Sequence, residues 1–142
     1  MRDIQSNLGL VEAIAPAVYV ADNTPAVIDL LGFGSALISL HVGVGGITFT
    51  GTNKIEFVLS HSNDNTTYTP VAQADVQGVT GVTNGIVKSL IAAQAASSLN
   101  KIGYIGNKRY LKLLADFSGT HGTGTPFAAS VVKGHAQSRP VA

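Results

Sequence analysis

Apolar and polar residues alternate along most of this chain with the two-residue period of half-buried β-strands. The clearest example is KIEFVLSHS at residues 54–62, in which Ile55, Phe57 and Leu59 share one face. Residues 109–118 repeat this alternation. The pattern also predicts strands at residues 17–21, 26–31, 35–44, 85–90 and 127–134, and a short hairpin return within residues 62–72. Together these segments predict about eight short strands and almost no helix.

Turn-forming residues separate the predicted strands at intervals of roughly 8–12 residues. This spacing is typical of an all-β fold, an antiparallel β-sandwich or barrel, and eight strands favour a jelly-roll-like arrangement. Pro70 cannot donate a backbone hydrogen bond, so the hairpin return is predicted to be an edge strand. Residues 91–100 are predicted to form either one or two helical turns or a loop that covers the core.

The first residues are predicted to form an N-terminal arm (1–16) outside a single β-sandwich domain (17–142). Four apolar residues have the spacing of one helical face: Ile4, Leu8, Val11 and Ile14. Gly9 and Pro16 limit any helix here to a short one. Such an arm either packs on a neighbouring copy or covers an edge of its own domain, and the sequence leaves both possibilities open.

Composition restricts the class of protein. The chain has 142 residues, of which 45% are hydrophobic and only 12% charged, so we expect one folded domain and no extended disorder. It contains no cysteine, which excludes disulfides and thiolate metal sites. No run of about 18 apolar residues occurs, so no membrane span is expected. Asp3 and Glu12 interrupt the N-terminus, which does not resemble a signal peptide. We therefore expect the protein to remain in the cytoplasm or to join an assembly there.

The charges are unevenly divided along the chain. Residues 1–100 carry three basic and seven acidic groups, a net −4, whereas residues 101–142 carry six basic and one acidic, a net +5. Such a division indicates either an anionic partner or contacts between the basic and acidic parts of neighbouring copies. Four basic residues cluster in the segment KIGYIGNKRYLKL: Lys101, Lys108, Arg109 and Lys112.

The same segment, residues 101–113, has two competing interpretations. Its cations and its tyrosines, Tyr104 and Tyr110, are the residue types of single-stranded nucleic-acid sites. One cluster in a chain of net charge +1 is nevertheless a weak nucleic-acid signature. We therefore favour a turn followed by a core strand with a basic solvent face, and expect no nucleic-acid partner.

No catalytic or metal-binding pattern stands out. The four histidines, His41, His61, His121 and His135, lack the spacing of a metal motif. Glu56 and Asp116 lie on predicted strands and could face each other, but we interpret them as ordinary outer-face charges. The motif GxSxG is absent. We expect no enzyme, no catalytic residue, no metal and no cofactor.

Three loops resemble ligand-binding loops in composition only. The glycine-rich stretches at 43–46 and 119–126 do not fit phosphate- or dinucleotide-binding motifs. Residues 62–66 supply oxygen atoms but a single carboxylate, which is too little charge for a useful calcium site. We interpret all three as connections of the sandwich.

Several segments resemble small accessory proteins of tailed-bacteriophage heads. The segments EFVLSHSNDNTTYTPVAQADV (56–76) and GYIGNKRYLKLLADFSGT (103–120) are similar to hairpin and strand segments of that family. The opening MRDIQSNLGLVEAIAPAV and the ending SVVKGHAQSRPVA (130–142) also resemble theirs, whereas residues 91–101 have no counterpart. The resemblance is to the capsid decoration, or cement, proteins.

This resemblance implies a catalytically inert structural virion protein. Such a protein would decorate and stabilise a capsid surface through multivalent contacts with major capsid subunits, often as a homotrimer, after assembly in the host cytoplasm. The candidate interface residues are those of the arm and the basic cluster: Ile4, Leu8, Val11, Lys101, Lys108, Arg109 and Lys112.

A carbohydrate- or receptor-binding sandwich of a phage particle is the alternative. Modules of that kind usually expose aromatic platforms. The absence of Trp and an aromatic content of 6% argue against it.

Overall fold

The computed structural model describes residues 2–141, which form ten β-strands and two short 3-10 turns. The strands are β1 (Gly9–Tyr19), β2 (Ile28–Asp29), β3 (Phe33–Val42), β4 (Lys54–Ser62), β5 (Thr69–Pro70), β6 (Val76–Gln77), β7 (Ile86–Leu90), β8 (Ser98–Tyr104), β9 (Tyr110–Ser118) and β10 (Thr125–Ala136). The 3-10 turns are Gln5–Asn7 and Gln73–Asp75.

The strands form two antiparallel sheets. Sheet I has the order β1-β10-β3-β8-β6, and sheet II has the order β2-β9-β4-β5, with β7 also paired to β4. The pairs are nested, because β1 pairs with β10, β2 with β9, β3 with β8 and β4 with β7. This nesting defines a jelly roll of eight strands, to which the two-residue strands β5 and β6 are added in the β4–β7 connection. The predicted all-β sandwich is confirmed.

The core fills the space between the two sheets and follows the predicted alternation. Ile55, Phe57 and Leu59 of β4 are fully buried. The Phe57 ring meets the edge of Phe127 from sheet I at a centroid distance of 5.2 Å. Burying each of these side chains contributes roughly 1.5–3 kcal/mol, so the alternating residues supply much of the driving force for folding.

The N-terminal segment differs from its prediction. Residues 9–16, assigned to an arm, lie in β1 and pair with β10, so the prediction of a helix there is wrong. Strand β1 is irregular between Glu12 and Ile14 and again between Ile14 and Ala17. The first irregularity places Val11 and Ile14 on the same inward side although they are three residues apart, which imitates helical spacing.

Two other segments also differ from their predictions. Residues 98–104 form β8, although residues 98–100 had been assigned to a helical turn or loop. The strand predicted at 26–31 is reduced to two residues. Pairing with other strands explains both differences. Strand β8 pairs with β3 along its whole length, whereas β2 pairs with the first two residues of β9.

Candidate functional site

The outer faces of the two sheets differ in chemistry. Sheet II turns charged side chains outward from its central strands: Lys54, Glu56, Lys112 and Asp116. Sheet I turns mostly small or apolar side chains outward from β10, β3 and β8: Ala128, Ser130, Val132, Leu37, Ser39, His41, Leu99 and Gly103. Solvent-facing sheets usually carry charges, so the outer face of sheet I is a candidate contact surface.

The outer face of sheet I is organised in rows that cross its strands. One row runs from Leu10 on β1 through Val132 and Leu37 to Gly103 on β8 and ends at Gln77 on β6. Leu10 is 74% exposed, Gly103 has no side chain, and Gln77 is exposed. The row therefore begins at a protruding leucine, is low at Gly103 and ends at a polar side chain.

The next row carries charges at its two ends. It runs from Glu12 on β1 through Ser130 and Ser39 to Lys101 on β8. Neither Glu12 nor Lys101 takes part in any of the ion pairs found among residues 2–141. Three inter-strand spacings separate the two charges, a distance of about 14 Å, which is too far for them to pair within one chain.

A second surface lies at one end of the sandwich, where both described termini meet the β2–β3 and β8–β9 loops. We call it the terminal end. Val141 donates a backbone hydrogen bond to Ser6 there (3.0 Å). Four of its apolar side chains are exposed: Ile4 at 61%, Leu8 at 36%, Leu31 at 65% and Ile105 at 54%. Exposed apolar side chains grouped in this way are typical of protein contact sites.

A groove of about 530 Å³ connects the terminal end with the outer face of sheet I. Ile4, Leu8 and Ile105 line its outer part, and Leu37, Val132 and Gly103 line its floor. The groove is therefore predominantly apolar.

The structure separates the seven predicted interface residues. Ile4 and Leu8 lie at the terminal end, and Lys101 lies on the outer face of sheet I. Val11 is partly buried and packs against the core. The other three, Lys108, Arg109 and Lys112, lie near the sheet II side of the terminal end, each with a partner in its own chain.

Arg109 is held by a bidentate ion pair. Its Nε and Nη2 donate to the two carboxylate oxygens of Asp29 at 2.8 and 2.7 Å, joining β2 to β9. The hydrogen bond from Arg109 lowers the pKa of Asp29 to about 2. Lys108 Nζ donates to Thr69 Oγ1 at 3.0 Å, and Lys112 Nζ lies 4.2 Å from the centre of the Tyr68 ring. All three cations therefore contact other segments of their own chain.

The basic segment KIGYIGNKRYLKL thus forms the end of β8, a turn and the start of β9. Tyr104 is buried, and the Arg109 guanidinium lies 4.8 Å from the centre of the Tyr110 ring. Tyr104 therefore cannot serve as a stacking platform, and Tyr110 has a cation of its own chain against its ring.

His61 on β4 is buried and lies in a cluster of polar groups. Its Nδ1 lies 2.8 Å from Tyr104 Oη, and Tyr104 Oη accepts a hydrogen bond from the Lys108 backbone N–H at 3.1 Å. On its other side, His61 Nε2 is 4.0 Å from Asp75 Oδ2. Burial, aided by the positive charge of Lys108, lowers the pKa of His61, while Asp75 opposes that shift. The cluster links β4, β8 and the Gln73–Asp75 turn beneath the surface.

Glu56 and Asp116 are direct cross-strand neighbours on the outer face of sheet II. Burial, reinforced by the charges of Asp22 and Glu56, raises the pKa of Asp116. Lys54 pairs with Glu56 at 2.9 Å. The two carboxylates lie side by side on an open sheet, not across a cleft of the kind that glycoside hydrolysis uses.

The predicted polar turn at residues 62–66 is organised by Asp64. Its Oδ1 accepts hydrogen bonds from the backbone N–H groups of Thr66 and Thr67 and from Ser62 Oγ. These bonds lower the pKa of Asp64 to about 2. The Asp64 carboxylate thus stabilises the turn in which it lies.

Residues 2–141 contain neither a cluster of metal ligands nor a membrane-spanning helix. No group of three or more His, Asp or Glu side chains is placed to hold a metal ion. Within the same residues, no helix has the length and hydrophobicity needed to span a membrane.

The outer face of sheet I is not predicted from the sequence, because the predicted strands leave out most of β1 and all of β8. A signal was present in both. Leu10 and Glu12 alternate with Val11, and Leu99, Lys101 and Gly103 alternate with buried residues of β8. Strict alternation over so few residues is weak evidence when the neighbouring segments favour another structure.

Comparison with known proteins gives limited similarity. No family model and no curated protein matches the chain. Among solved structures, a protein described under "Bacillus endospore appendages form a novel family of disulfide-linked pili" aligns with a TM-score of 0.38 and 17% identity, covering 97% of each chain. The SPBc2 prophage-derived protein YomS aligns with a TM-score of 0.42 and 13% identity, covering 89% of this chain and 93% of its own. We therefore base the functional proposal on the surfaces of this chain.

Proposed function

We propose that this chain is a structural virion protein that decorates and stabilises a phage capsid by binding major capsid subunits. The observation that carries the proposal is the grouping of exposed apolar side chains at the terminal end: Ile4, Leu8, Leu31 and Ile105. A surface of this kind on a two-sheet sandwich suits repeated contacts with a large protein shell. The sequence resemblance to decoration proteins supports the same role.

The proposal places the protein on the capsid surface and gives it no catalytic activity of its own. Each contact can be weak, because many copies on one shell act together.

The alternative, a carbohydrate- or receptor-binding module, is not favoured by any aromatic surface. Tyr104 is buried, Tyr19 stacks on Phe127 at 4.5 Å, and Lys112 and Arg109 lie against the rings of Tyr68 and Tyr110. Sugar-binding surfaces usually offer an open aromatic ring.

Co-sedimentation with shells of the major capsid protein of the phage that carries this gene tests the proposal. The wild-type protein should pellet with the shells. The double variant Ile4→Ser/Leu31→Ser should bind about tenfold more weakly or worse, because two apolar anchors are lost. The matched control is Val44→Ser/Ile91→Ser, which alters two side chains of similar exposure, 55% and 54%, at the opposite end of the sandwich.

Wild-type protein that stays in the supernatant at every concentration would contradict the proposal. Equal loss of binding by the control pair would instead remove the terminal end from the interface.

A further inference from the structure

We infer that the outer face of sheet I binds the same face of a second copy of this chain, forming a two-fold symmetric pair. The pattern of charges on this face carries the inference. Glu12 and Lys101 occupy opposite ends of a single row, four strands wide, with only Ser130 and Ser39 between them.

The symmetry follows from the position of these charges. A second copy turned over about an axis parallel to the strands, between β10 and β3, places its β1 opposite β8 of the first copy. Glu12 of each copy then lies opposite Lys101 of the other, which gives two ion pairs related by the axis. A two-fold interface requires this self-complementarity.

The neighbouring rows bring apolar side chains into the same interface. Leu10, 74% exposed, lies opposite Gly103 of the other copy and beside its Gln77, in the groove floored by Leu37 and Val132. Leu99, 69% exposed, lies opposite the irregular part of β1 at Ala15 and Pro16. Each copy therefore contributes two exposed leucines to the interface.

The geometry of packed sheets permits these contacts. Facing sheets lie about 10 Å apart and cross at about 30°. That angle displaces the outer strands by about 4 Å relative to perfect alignment, which is within reach of a lysine side chain. The face is only about 20 Å wide, so we expect a small interface and a pair that dissociates on dilution.

The alternative faces lack this complementarity. Sheet II presents Glu56 beside Asp116 across its centre, so two such faces would bring acidic pairs close together. The two charges of the outer face of sheet I, Glu12 on β1 and Lys101 on β8, are opposite in sign and lie on either side of β10 and β3.

Sedimentation velocity of the full chain over a concentration series tests the inference without any capsid. The wild-type protein should show a monomer–dimer equilibrium. Glu12→Lys and Lys101→Glu should each weaken it about tenfold or more, because like charges then meet at both sites. The double variant Glu12→Lys/Lys101→Glu should restore it, because the ion pairs reform with exchanged signs. Lys112→Glu, the same charge change on sheet II, should leave it unchanged.

Cross-linking gives an independent measurement. The chain has no cysteine, so Glu12→Cys/Lys101→Cys introduces the only two thiols. They are about 14 Å apart within one chain and about 10 Å apart across the pair, too far for a disulfide in either case, so a thiol-reactive cross-linker with a spacer of about 8 Å should produce a covalent dimer.

A wild-type protein that is monomeric throughout, or trimeric as the resemblance predicts, would overturn the two-fold pair. Failure of the double charge exchange to restore association would do the same, as would absence of the covalent dimer. The dimer is measured without shells, so these results are independent of the capsid experiment.

Discussion

Asp116 lies in an unfavourable electrostatic environment. It lies directly beside Glu56 of the adjacent strand β4, and the negative charge of Asp22 adds to the repulsion. Partial burial and these negative charges raise its pKa, so the folded protein binds the Asp116 proton more tightly than the unfolded chain does. The resulting cost to stability is present at neutral pH and disappears as the pH falls below 3.8, the ordinary value for the group.

Replacing Asp116 should therefore stabilise the protein. We expect Asp116→Asn to raise the free energy of unfolding at pH 7 by about 0.2–1 kcal/mol, near the lower end because the sheet face is solvated. Asp64→Asn is a control of opposite sign, because hydrogen bonds lower the pKa of Asp64 to about 2 and the charged form stabilises the turn. Urea unfolding at pH 7 measures both, and destabilisation by Asp116→Asn would contradict the prediction.

Because of the buried His61, we expect the folded protein to lose stability in mild acid. Burial is the main cause of the lowered pKa of His61, so the unfolded chain binds the His61 proton more tightly than the folded protein does. The folded state therefore loses stability once the pH falls toward and below 6.5, the ordinary pKa of the group. Stability should therefore fall as the pH is lowered from about 7.5 to 5, by at most about 1.4 kcal/mol per pH unit for this group.

The variant His61→Gln should be less stable at neutral pH, because the Tyr104 contact is lost, but its stability should decline less between these pH values. His41→Gln, on the exposed outer face of sheet I, should retain the wild-type decline. Urea unfolding across the pH range measures the slopes, and identical slopes for wild type and His61→Gln would refute this role.

Because β1 begins at Gly9, the effect of shortening the N-terminus should depend on where the chain is cut. Removing residues 2–8 takes away the 3-10 turn and Leu8 but leaves all of β1, so we expect a cooperatively folded protein. Removing residues 2–16 deletes most of β1 and exposes one edge of β10, so we expect a large loss of stability. Thermal unfolding followed by circular dichroism measures both, and equal melting temperatures would show that β1 contributes little.

The elements that sequence predicted well are those whose pattern is uninterrupted. Strands β4 and β9 each alternate regularly over nine residues, and both were found. Strand β1 contains two irregularities and Pro16, so its inward positions no longer recur every second residue. Strand β8 follows an alanine-rich loop with helical propensity. In both cases the pairing partner, distant in sequence, determines the structure.

At the level of the whole molecule, folding places the basic residues of the last part of the sequence on different faces. Lys101 lies on sheet I, Lys112 lies on sheet II, and Arg109 is paired with an acidic residue from the first part of the chain. Folding thus brings basic residues of 101–142 next to acidic residues of 1–100.

The fold class could be predicted because it depends on period and spacing alone. The contact surfaces could not, because they depend on which strands become neighbours. Glu12 and Lys101 are 89 positions apart in sequence, yet the nested pairing brings them into one row. No local pattern contains that information.

The position of β10 has a consequence for biosynthesis. This strand lies between β1 and β3 in sheet I, although the ribosome makes it after the other nine strands. The nascent chain cannot close the sheet until residues 125–136 have left the exit tunnel, so completion of sheet I should be late and slow. Until then two strand edges remain open, and a chain stalled before residue 125 is a substrate for chaperones.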